Sequence, residues 1–142
     1  MNFRRANAAD IPAIFEIRFL VKENVLSDPS KVTPQLCEDY LDRLGRGWVC
    51  EQDGAIVGFS YAASADGSIW ALFVRPGFED RGIGSQLLTL ATEWLFQNGH
   101  QQVILSTSIN TRADRFYLAK GWQRGAMKNA VEVSYSLPRP PT

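Results

Sequence analysis

The chain has 142 residues, 45% of them hydrophobic, and its 15 basic residues balance its 15 acidic ones. This length and composition fit one globular domain with its own core. Zero net charge excludes recognition of nucleic acid or of an anionic membrane by bulk electrostatics. No apolar run of about 18 residues occurs, so we expect no membrane span. No apolar stretch follows the first five residues, so we expect no signal peptide.

Cysteine and histidine are scarce. Cys37 and Cys50 lack the spacing of a metal site or a disulfide framework, which fits a cytoplasmic protein. His100 follows a glycine and is expected in a surface loop without a catalytic role. No cluster of His, Cys, Asp and Glu has ligand spacing, so we expect no metal.

The first half of the chain predicts a strand, two helices and three further strands. Thr33-Pro34 supplies the N-cap and first residue that open a helix. Asp53-Gly54 and Asp66-Gly67 are turn signals between strands. The predicted elements are a strand at 2–6, helices at 9–26 and 34–44, and strands at 48–52, 55–63 and 68–74.

The second half predicts a strand–helix–strand crossover, which implies a parallel strand pair. Its elements are a helix at 82–98, a strand at 103–107, a helix at 112–120 and a strand pair at 122–124 and 131–137. The hairpins on either side of the crossover imply antiparallel partners. We therefore predict a single α/β (α+β) domain over residues 1–137, with a mixed, mostly antiparallel sheet flanked by helices, and a disordered tail at 138–142.

The most informative stretch joins the strand at 68–74 to the following helix. Gly82 and Gly84 stand at the start of that helix and leave its backbone open. The first N–H groups of a helix have no partner within it, and the helix dipole adds about half a positive charge there. We expect a phosphate-bearing ligand on the loop between Glu79 and Ser85.

Two motifs together resemble the GNAT superfamily of acyl-CoA N-acyltransferases. One is the x-x-Gly-x-Gly loop, and the more specific one is the run Asn110-Thr111-Arg112-Ala113-Asp114-Arg115-Phe116-Tyr117-Leu118-Ala119-Lys120-Gly121-Trp122. The resemblance covers essentially the whole chain. In one departure, Glu79 stands where the family has Arg or Gln, and Asp80 follows it. Two carboxylates beside a pyrophosphate weaken its binding, which Arg81 could partly offset.

The resemblance implies where acetyl-CoA binds as the acyl donor. The strand at 68–74 splays from the strand at 103–107 and pairs with the pantetheine arm. A backbone N–H near Leu72 or Phe73 then polarises the thioester carbonyl; the alternative is an ordinary core strand. The implied cofactor-binding residues are Leu72, Phe73, Val74, Glu79, Asp80, Arg81, Gly82, Ile83, Gly84, Ser85, Asn110, Phe116 and Tyr117.

Tyr117 matches the family position whose hydroxyl lies near the thiol sulfur. A phenol there can protonate the departing thiolate; the alternative is a core aromatic beside Phe116. Asn110 matches a position that contacts the cofactor arm, and its alternative is a helix N-cap.

The acceptor site is less defined. Arg18 lies on the apolar stripe of its predicted helix and either binds a substrate carboxylate or reaches solvent or a nearby Glu. Glu23, Asn24 and Trp70 complete the predicted acceptor pocket, although Trp70 and Trp48 also suit the core. The general base is Glu23, Glu16, Glu132 or a water chain, and of these we assign Glu23.

The sequence thus predicts an N-acetyltransferase that transfers an acetyl group to a primary amine of a small, amino-acid-like molecule in a ternary complex. The alternatives are a protein or peptide acceptor, or a non-catalytic acyl-CoA-binding module. A nucleotide-binding fold would need a longer strand–helix array than this chain offers. The resemblance makes a homodimer possible, and no nucleic acid or membrane partner is expected.

Overall fold

A seven-stranded sheet organises the computed structural model, which describes residues 1–20 and 33–140. The strands are β1 (Asn2–Arg5), β2 (Gly45–Gln52), β3 (Ala55–Ala63), β4 (Ser68–Val74), β5 (Gln102–Ser108), β6 (Gln123–Met127) and β7 (Glu132–Pro138). The helices are α1 (Ile11–Leu20), α2 (Pro34–Asp39), α3 (Ile83–Gln97) and α4 (Arg112–Ala119). The strands lie in the order β1-β2-β3-β4-β5-β7-β6. No helix in the described ranges is both long and apolar enough to cross a membrane.

The strands β4 and β5 form the one parallel pair of the sheet, as predicted. They share a single ladder position, Ser68 opposite Ile104, next to a hydrogen bond of 3.0 Å from the Ile104 N–H to the Gly67 carbonyl oxygen. Every other neighbouring pair is antiparallel. Since nothing pairs the two strands beyond that position, they separate and leave a gap between Leu72–Val74 and the second half of β5. The predicted mixed, mostly antiparallel sheet is confirmed.

The two faces of the sheet carry two separate cores. On one face α3 buries Leu87, Ala91 and Leu95 against the strands, and Tyr117 of α4 joins the same cluster. On the other face α1 and α2 bury side chains that include Ile17. Burying both faces gives the sheet its main source of stability, because the hydrophobic effect scales with apolar area removed from water.

Gly45 and Gly47, which follow the helix predicted at 34–44, lie within β2. The helix predicted at 34–44 ends as α2 at Asp39, and β2 starts at Gly45, three residues before the predicted strand. A Cβ on Gly45 would lie 1.8 Å from the carbonyl oxygen of Ala62, so this glycine allows β2 to approach β3.

Three other predicted boundaries shift. The helix predicted at 9–26 begins with a 3₁₀ turn at Ala8–Asp10 and continues as α1 to Leu20; the rest of that prediction lies outside the described residues. The strand predicted at 122–124 runs from Gln123 to Met127. The last strand continues to Pro138, and the Arg139 N–H donates to the Gln101 carbonyl oxygen at 2.9 Å, so the ordered sheet reaches into the predicted tail.

Candidate active site

The N-terminus of α3 is open to a ligand. Gly82 is its N-cap, with a left-handed φ of 81° and open space where a side chain would start. The N–H groups of Ile83, Gly84 and Ser85 follow in the first turn, where a helix supplies them with no carbonyl partner. A Cβ on Gly84 would lie 3.6 Å from Val74, which is ordinary contact. The loop thus presents the backbone donors that the sequence predicts.

A large cavity of about 1080 Å³ begins at this helix end and runs between β4 and α4. Eleven of the predicted cofactor-binding residues line it: Leu72, Phe73, Val74, Glu79, Asp80, Gly82, Ile83, Gly84, Ser85, Phe116 and Tyr117. They come from three separate segments of the chain. The fold therefore brings the two sequence motifs together around one space.

Two predicted cofactor-binding residues lie outside this lining. The Arg81 guanidinium lies over the ring of Phe78, 5.0 Å from its centroid. Asn110 is exposed with a φ of 61°, and Thr111, not Asn110, is the N-cap of α4. Threonine is also a favoured N-cap, so Thr111 takes the N-cap role that was the alternative for Asn110, and contact of Asn110 with the cofactor arm stays a prediction. Asparagine tolerates the left-handed backbone seen here.

Both acidic side chains of the loop, Glu79 and Asp80, interact with other groups of the protein. Hydrogen bonds from the backbone N–H groups of Glu79 itself and of Gly77 lower the pKa of the Glu79 carboxyl. The Asp80 carboxylate, 87% exposed, lies 3.4 Å from the Arg112 guanidinium on α4. Arg115 of α4 and Lys120, the residue after α4, also line the large cavity. None of these three cations is predicted from the sequence, although the spacing of Arg112 and Arg115 places them on neighbouring turns of one helix.

A small cavity of about 310 Å³ occupies the gap where β4 and β5 separate. Four residues line both this cavity and the large one: Leu72, Phe73, Ala113 and Tyr117. The two spaces therefore meet at the strand and helix that the resemblance assigns to acetyl transfer.

Tyr117 stands at this junction while its ring packs in the core. The residue is 6% exposed, and its ring lies 5.2 Å from Phe116, 5.5 Å from Trp122 and 5.7 Å from Tyr135, centroid to centroid. Burial raises the pKa of the phenol, so the Tyr117 hydroxyl stays protonated at neutral pH. The two alternatives for this residue, core aromatic and cavity group, are compatible.

A buried carboxylate supports the helix that carries Tyr117. Asp114 accepts hydrogen bonds from the Tyr135 hydroxyl at 2.6 Å, from Arg124 Nε at 3.2 Å and from the Asn110 N–H at 3.0 Å. The bonds to Arg124 and Tyr135 lower the pKa of Asp114 to about 2. Asp114 lies one helical turn before Tyr117, so the network fixes α4 beside the sheet.

A bulge in β4 turns Trp70 toward the small cavity. Ala62 pairs with Ile69 and Tyr61 pairs with Ala71, so Trp70 is an extra residue on β4. The bulge reverses the alternation of side chains, because one inserted residue shifts the following ones to the other face. Trp70 stacks on Tyr40, the residue after α2, with ring centroids 4.1 Å apart, and lines the small cavity. Trp48, the other tryptophan considered, is buried in the α3 core.

Arg18 reaches the same cavity from α1. Its guanidinium lies over the Phe73 ring, 5.1 Å from the centroid, and it lines the small cavity. Its Nε is buried with no hydrogen-bond partner among the described residues. Burial lowers the pKa of Arg18, although a guanidinium stays protonated in proteins. The guanidinium forms no ion pair with a Glu of the described chain, and its Nε is shielded from water.

The predicted base candidates differ in position. Glu132 lines the small cavity, where its carboxylate accepts from the Ser106 hydroxyl at 3.3 Å and from Asn129 Nδ2 at 3.0 Å. Glu16 instead pairs with Arg75 at 2.9 Å and lines neither cavity. Glu23, together with Asn24, lies outside the described residues.

The remaining titratable candidates lie elsewhere. His100 Nε2 lies 2.9 Å from the carbonyl oxygen of Ser64, at the turn before β4. Cys37 and Cys50 are buried free thiols. Among residues 1–20 and 33–140 no three His, Cys, Asp or Glu side chains group as metal ligands.

Comparison with known proteins assigns the fold and these motifs to one class of enzyme. The model of the acetyltransferase (GNAT) family matches residues 11–122, and the chain belongs to this family. The family predicted from the two motifs is therefore confirmed. No curated protein matches the chain by sequence.

Solved structures share the fold at low sequence identity. A putative acetyltransferase from Salmonella typhimurium, solved with its cofactor acetyl-CoA, has a TM-score of 0.81 at 17% identity, over 97% of this chain and 93% of that one. A PaiA N-acetyltransferase from Thermoplasma acidophilum, in complex with coenzyme A, has a TM-score of 0.83 at 13% identity, over 97% and 98%. The ribosomal-protein-S18-alanine N-acetyltransferase from Escherichia coli has a TM-score of 0.77 at 16% identity, over 96% and 92%.

Proposed function

We propose that this acetyltransferase transfers the acetyl group of acetyl-CoA directly to the primary amine of a small molecule that binds in the small cavity. The observation that carries the proposal is the meeting of the two cavities at Tyr117. A donor in one cavity and an acceptor in the other would have their reacting atoms beside the same phenol. Such positioning is a large part of what an enzyme contributes to a two-substrate reaction.

The large cavity has the features that acetyl-CoA needs. The open N–H groups of Ile83, Gly84 and Ser85 would bind the pyrophosphate, and Arg112 adds a cation at the same end. The edge of β4 that β5 leaves unpaired would bind the pantetheine arm through backbone hydrogen bonds. Two of the structural neighbours are described with acetyl-CoA or coenzyme A. Acetyl-CoA supplies an activated thioester, and the remaining chemistry falls to this chain.

Three groups divide that chemistry. A backbone N–H at Leu72 or Phe73 would polarise the thioester carbonyl, since preorganised donors are most effective where negative charge develops. The neutral phenol of Tyr117 would donate a proton to the departing thiolate. Neither cysteine lines a cavity, which favours direct attack by the amine over an acyl-enzyme.

The amine must lose a proton before or during its attack. Of the described carboxylates considered, Glu132 lines the acceptor space and is the group we propose to accept that proton, directly or through water. Glu23 remains the base predicted from the sequence, with Asn24 beside it. The scarcity of cysteine supports a cytoplasmic location, and the resemblance to the family alone supports a homodimer; both are proposals.

A first experiment separates an enzyme from a binding module. Calorimetric titration with acetyl-CoA, with free CoA as the control ligand, should give a dissociation constant in the range of about 1 μM to about 1 mM typical of enzyme substrates. Release of free thiol is then measured with a panel of primary amines and with peptide N-termini. Binding without turnover on any amine would identify a non-catalytic module, and turnover on peptides alone would contradict a small acceptor. Absence of binding would show that Glu79 and Asp80 disable the phosphate loop.

A further inference from the structure

The guanidinium of Arg18 introduces an uncompensated positive charge into the small cavity. It forms no ion pair within the described chain, and its Nε is shielded from water without a hydrogen-bond partner there. Its main neighbour is the ring of Phe73, an attraction that does not satisfy the N–H donors. Leaving a buried donor or charge without a partner costs free energy that a ligand can recover.

Arg46 shows what a purely structural arginine looks like in this protein. Its guanidinium lies 5.2 Å from the centroid of the Trp94 ring, and its Nε is also buried without a partner among the described residues. Arg46 lines neither cavity. Both arginines thus lie over an aromatic ring with a buried Nε that has no partner, but of the two only Arg18 lines one of the two cavities.

The negative charge in the small cavity belongs to Glu132, which lies across the gap from Arg18. Glu132 opens β7 and pairs with Ser108 of β5, whereas Arg18 packs on Phe73 of β4. The hydroxyl-bearing residues Ser106, Thr107 and Ser108 line the wall near Glu132. A molecule that spans the gap would meet a carboxylate and hydroxyl groups at one end and a planar cation at the other.

We infer that the acceptor is a small amino carboxylate, such as a free amino acid, whose carboxylate is bound by Arg18 while its amine lies toward Glu132 and Tyr117. The forked guanidinium matches a carboxylate with two parallel hydrogen bonds. A cavity of about 310 Å³ suits a ligand of that size. A peptide N-terminus has an amide where an amino acid has its carboxylate. This inference rests on the proposed function, since it names the acceptor class of the same site.

The test compares each amino acid with its own carboxamide. Thiol release from acetyl-CoA is measured with glycine and glycinamide, β-alanine and β-alaninamide, and phenylalanine and phenylalaninamide. The readout is the acid-to-amide ratio of kcat/KM in the wild-type enzyme and in each variant. Because the same pair is compared across variants, the different basicity of the two amines cancels. We expect the acid to be preferred by at least about tenfold in the wild-type enzyme for one pair, since a site built for a hydrogen-bonding group rejects the analogue that lacks it.

Three variants test whether Arg18 causes the preference for the acid over the amide. R18Q should lower that ratio by at least about tenfold, mainly through KM for the acid, and R18K should lower it less because the charge stays while the fork is lost. R46Q is the matched control and should leave the ratio unchanged. Thermal unfolding verifies that each variant is folded. If R18Q does not fold, a lower acid-to-amide ratio in R18K than in the wild-type enzyme supports the inference, and an unchanged ratio overturns it.

The outcomes separate the inference from the proposed function. Amides acetylated as well as acids by the wild-type enzyme, or a ratio that R18Q leaves unchanged, would overturn the inference while acetylation of amines stands. Acetyl-CoA binding without turnover of any acid, amide or other amine would contradict the proposed function, and the inference with it.

Discussion

The hydroxyl of Tyr135 donates a 2.6 Å hydrogen bond to the buried carboxylate of Asp114. The same hydroxyl also lies 2.9 Å from the Asp114 carbonyl oxygen. These contacts tie β7 to α4 one turn before Tyr117. The position of the proposed proton donor therefore depends on a residue 18 positions further along the chain, in the same core cluster.

Two tyrosine-to-phenylalanine changes should have opposite effects on stability. Y135F removes a hydrogen bond to a charged, buried partner and should lower the free energy of unfolding by about 1.5–3 kcal/mol. Y61F removes a buried hydroxyl that has no partner among the described residues, and should be neutral or stabilising. Chemical denaturation at pH 7 measures both. Equal losses of unfolding free energy in Y135F and Y61F would show that the Tyr135–Asp114 hydrogen bond does not stabilise the fold.

Acid should destabilise the protein in a defined window because of Asp114. Its pKa is about 2 in the folded protein against an ordinary value of 3.8, so the folded state binds fewer protons between these pH values. The stabilisation is fully present above the ordinary value and is lost as the pH falls through about 2, a loss of about 2 kcal/mol. Asp10, whose pKa is lowered by Arg4, contributes in the same direction.

Denaturation midpoints measured from pH 7 down to pH 2 test this window. D114N should be less stable than the wild-type protein at pH 7, because one acceptor of the network is lost. It should also show a shallower loss of stability below pH 4. The assignment fails if the variant and the wild-type protein lose stability in parallel over the acid range.

Y117F should lower kcat by about ten- to a thousandfold and leave the affinity for acetyl-CoA nearly unchanged. The physical reason is that the phenyl ring keeps the packing against Phe116 and Trp122 while the proton donor is lost. Steady-state kinetics and calorimetry on the same preparation measure the two quantities. Y61F is the matched control, since it removes a phenol that lines neither cavity. An unchanged kcat in Y117F would exclude Tyr117 from the mechanism.

Changes at the Asp80–Arg112 pair should move the affinity for CoA in opposite directions. D80N removes a negative charge from the wall of the large cavity and should tighten binding by about two- to fivefold, since both side chains are largely exposed and screened. R112Q should weaken binding. Titrations at about 50 mM and about 500 mM salt should show both effects shrinking as screening increases. Weaker binding in D80N would mean that the acidic residue supports the loop instead of opposing the ligand.

The two glycines at the start of α3 should differ in their tolerance of alanine. G82A places a side chain on a left-handed residue and should cost about 1–2 kcal/mol of stability, together with CoA affinity. G84A should fold as well as the wild-type protein, because its Cβ meets Val74 and Phe116 at ordinary contact distances. Chemical denaturation and CoA titration of G82A and G84A test this prediction. A larger loss in G84A than in G82A would contradict the argument from the left-handed backbone of Gly82.

The chain's local patterns were sufficient for the family, the element order and the open N-terminus of α3. The glycines before α3, the turn signals at Asp53-Gly54 and Asp66-Gly67, and the run from Asn110 to Trp122 each act over a few residues. Helix termini, hairpin turns and strand periodicity depend on backbone chemistry that neighbouring residues determine. Gly45 is the counterexample, since its role depends on the approach of a strand 17 residues away.

Only the tertiary structure decided which side chains meet at the site. The bulge at Trp70, the engagement of Asp80 by Arg112 and the network around Asp114 join residues from different elements. The isolation of Arg18 is likewise visible only once α1 lies on β4. Such contacts depend on strand register and on packing between distant segments. A one-residue shift in a strand would turn its side chains to the other face of the sheet, and no local pattern in the sequence encodes the register. The sequence by itself thus determined the family and the open start of α3, while long-range packing decided the shape of the small cavity and the charges that face it.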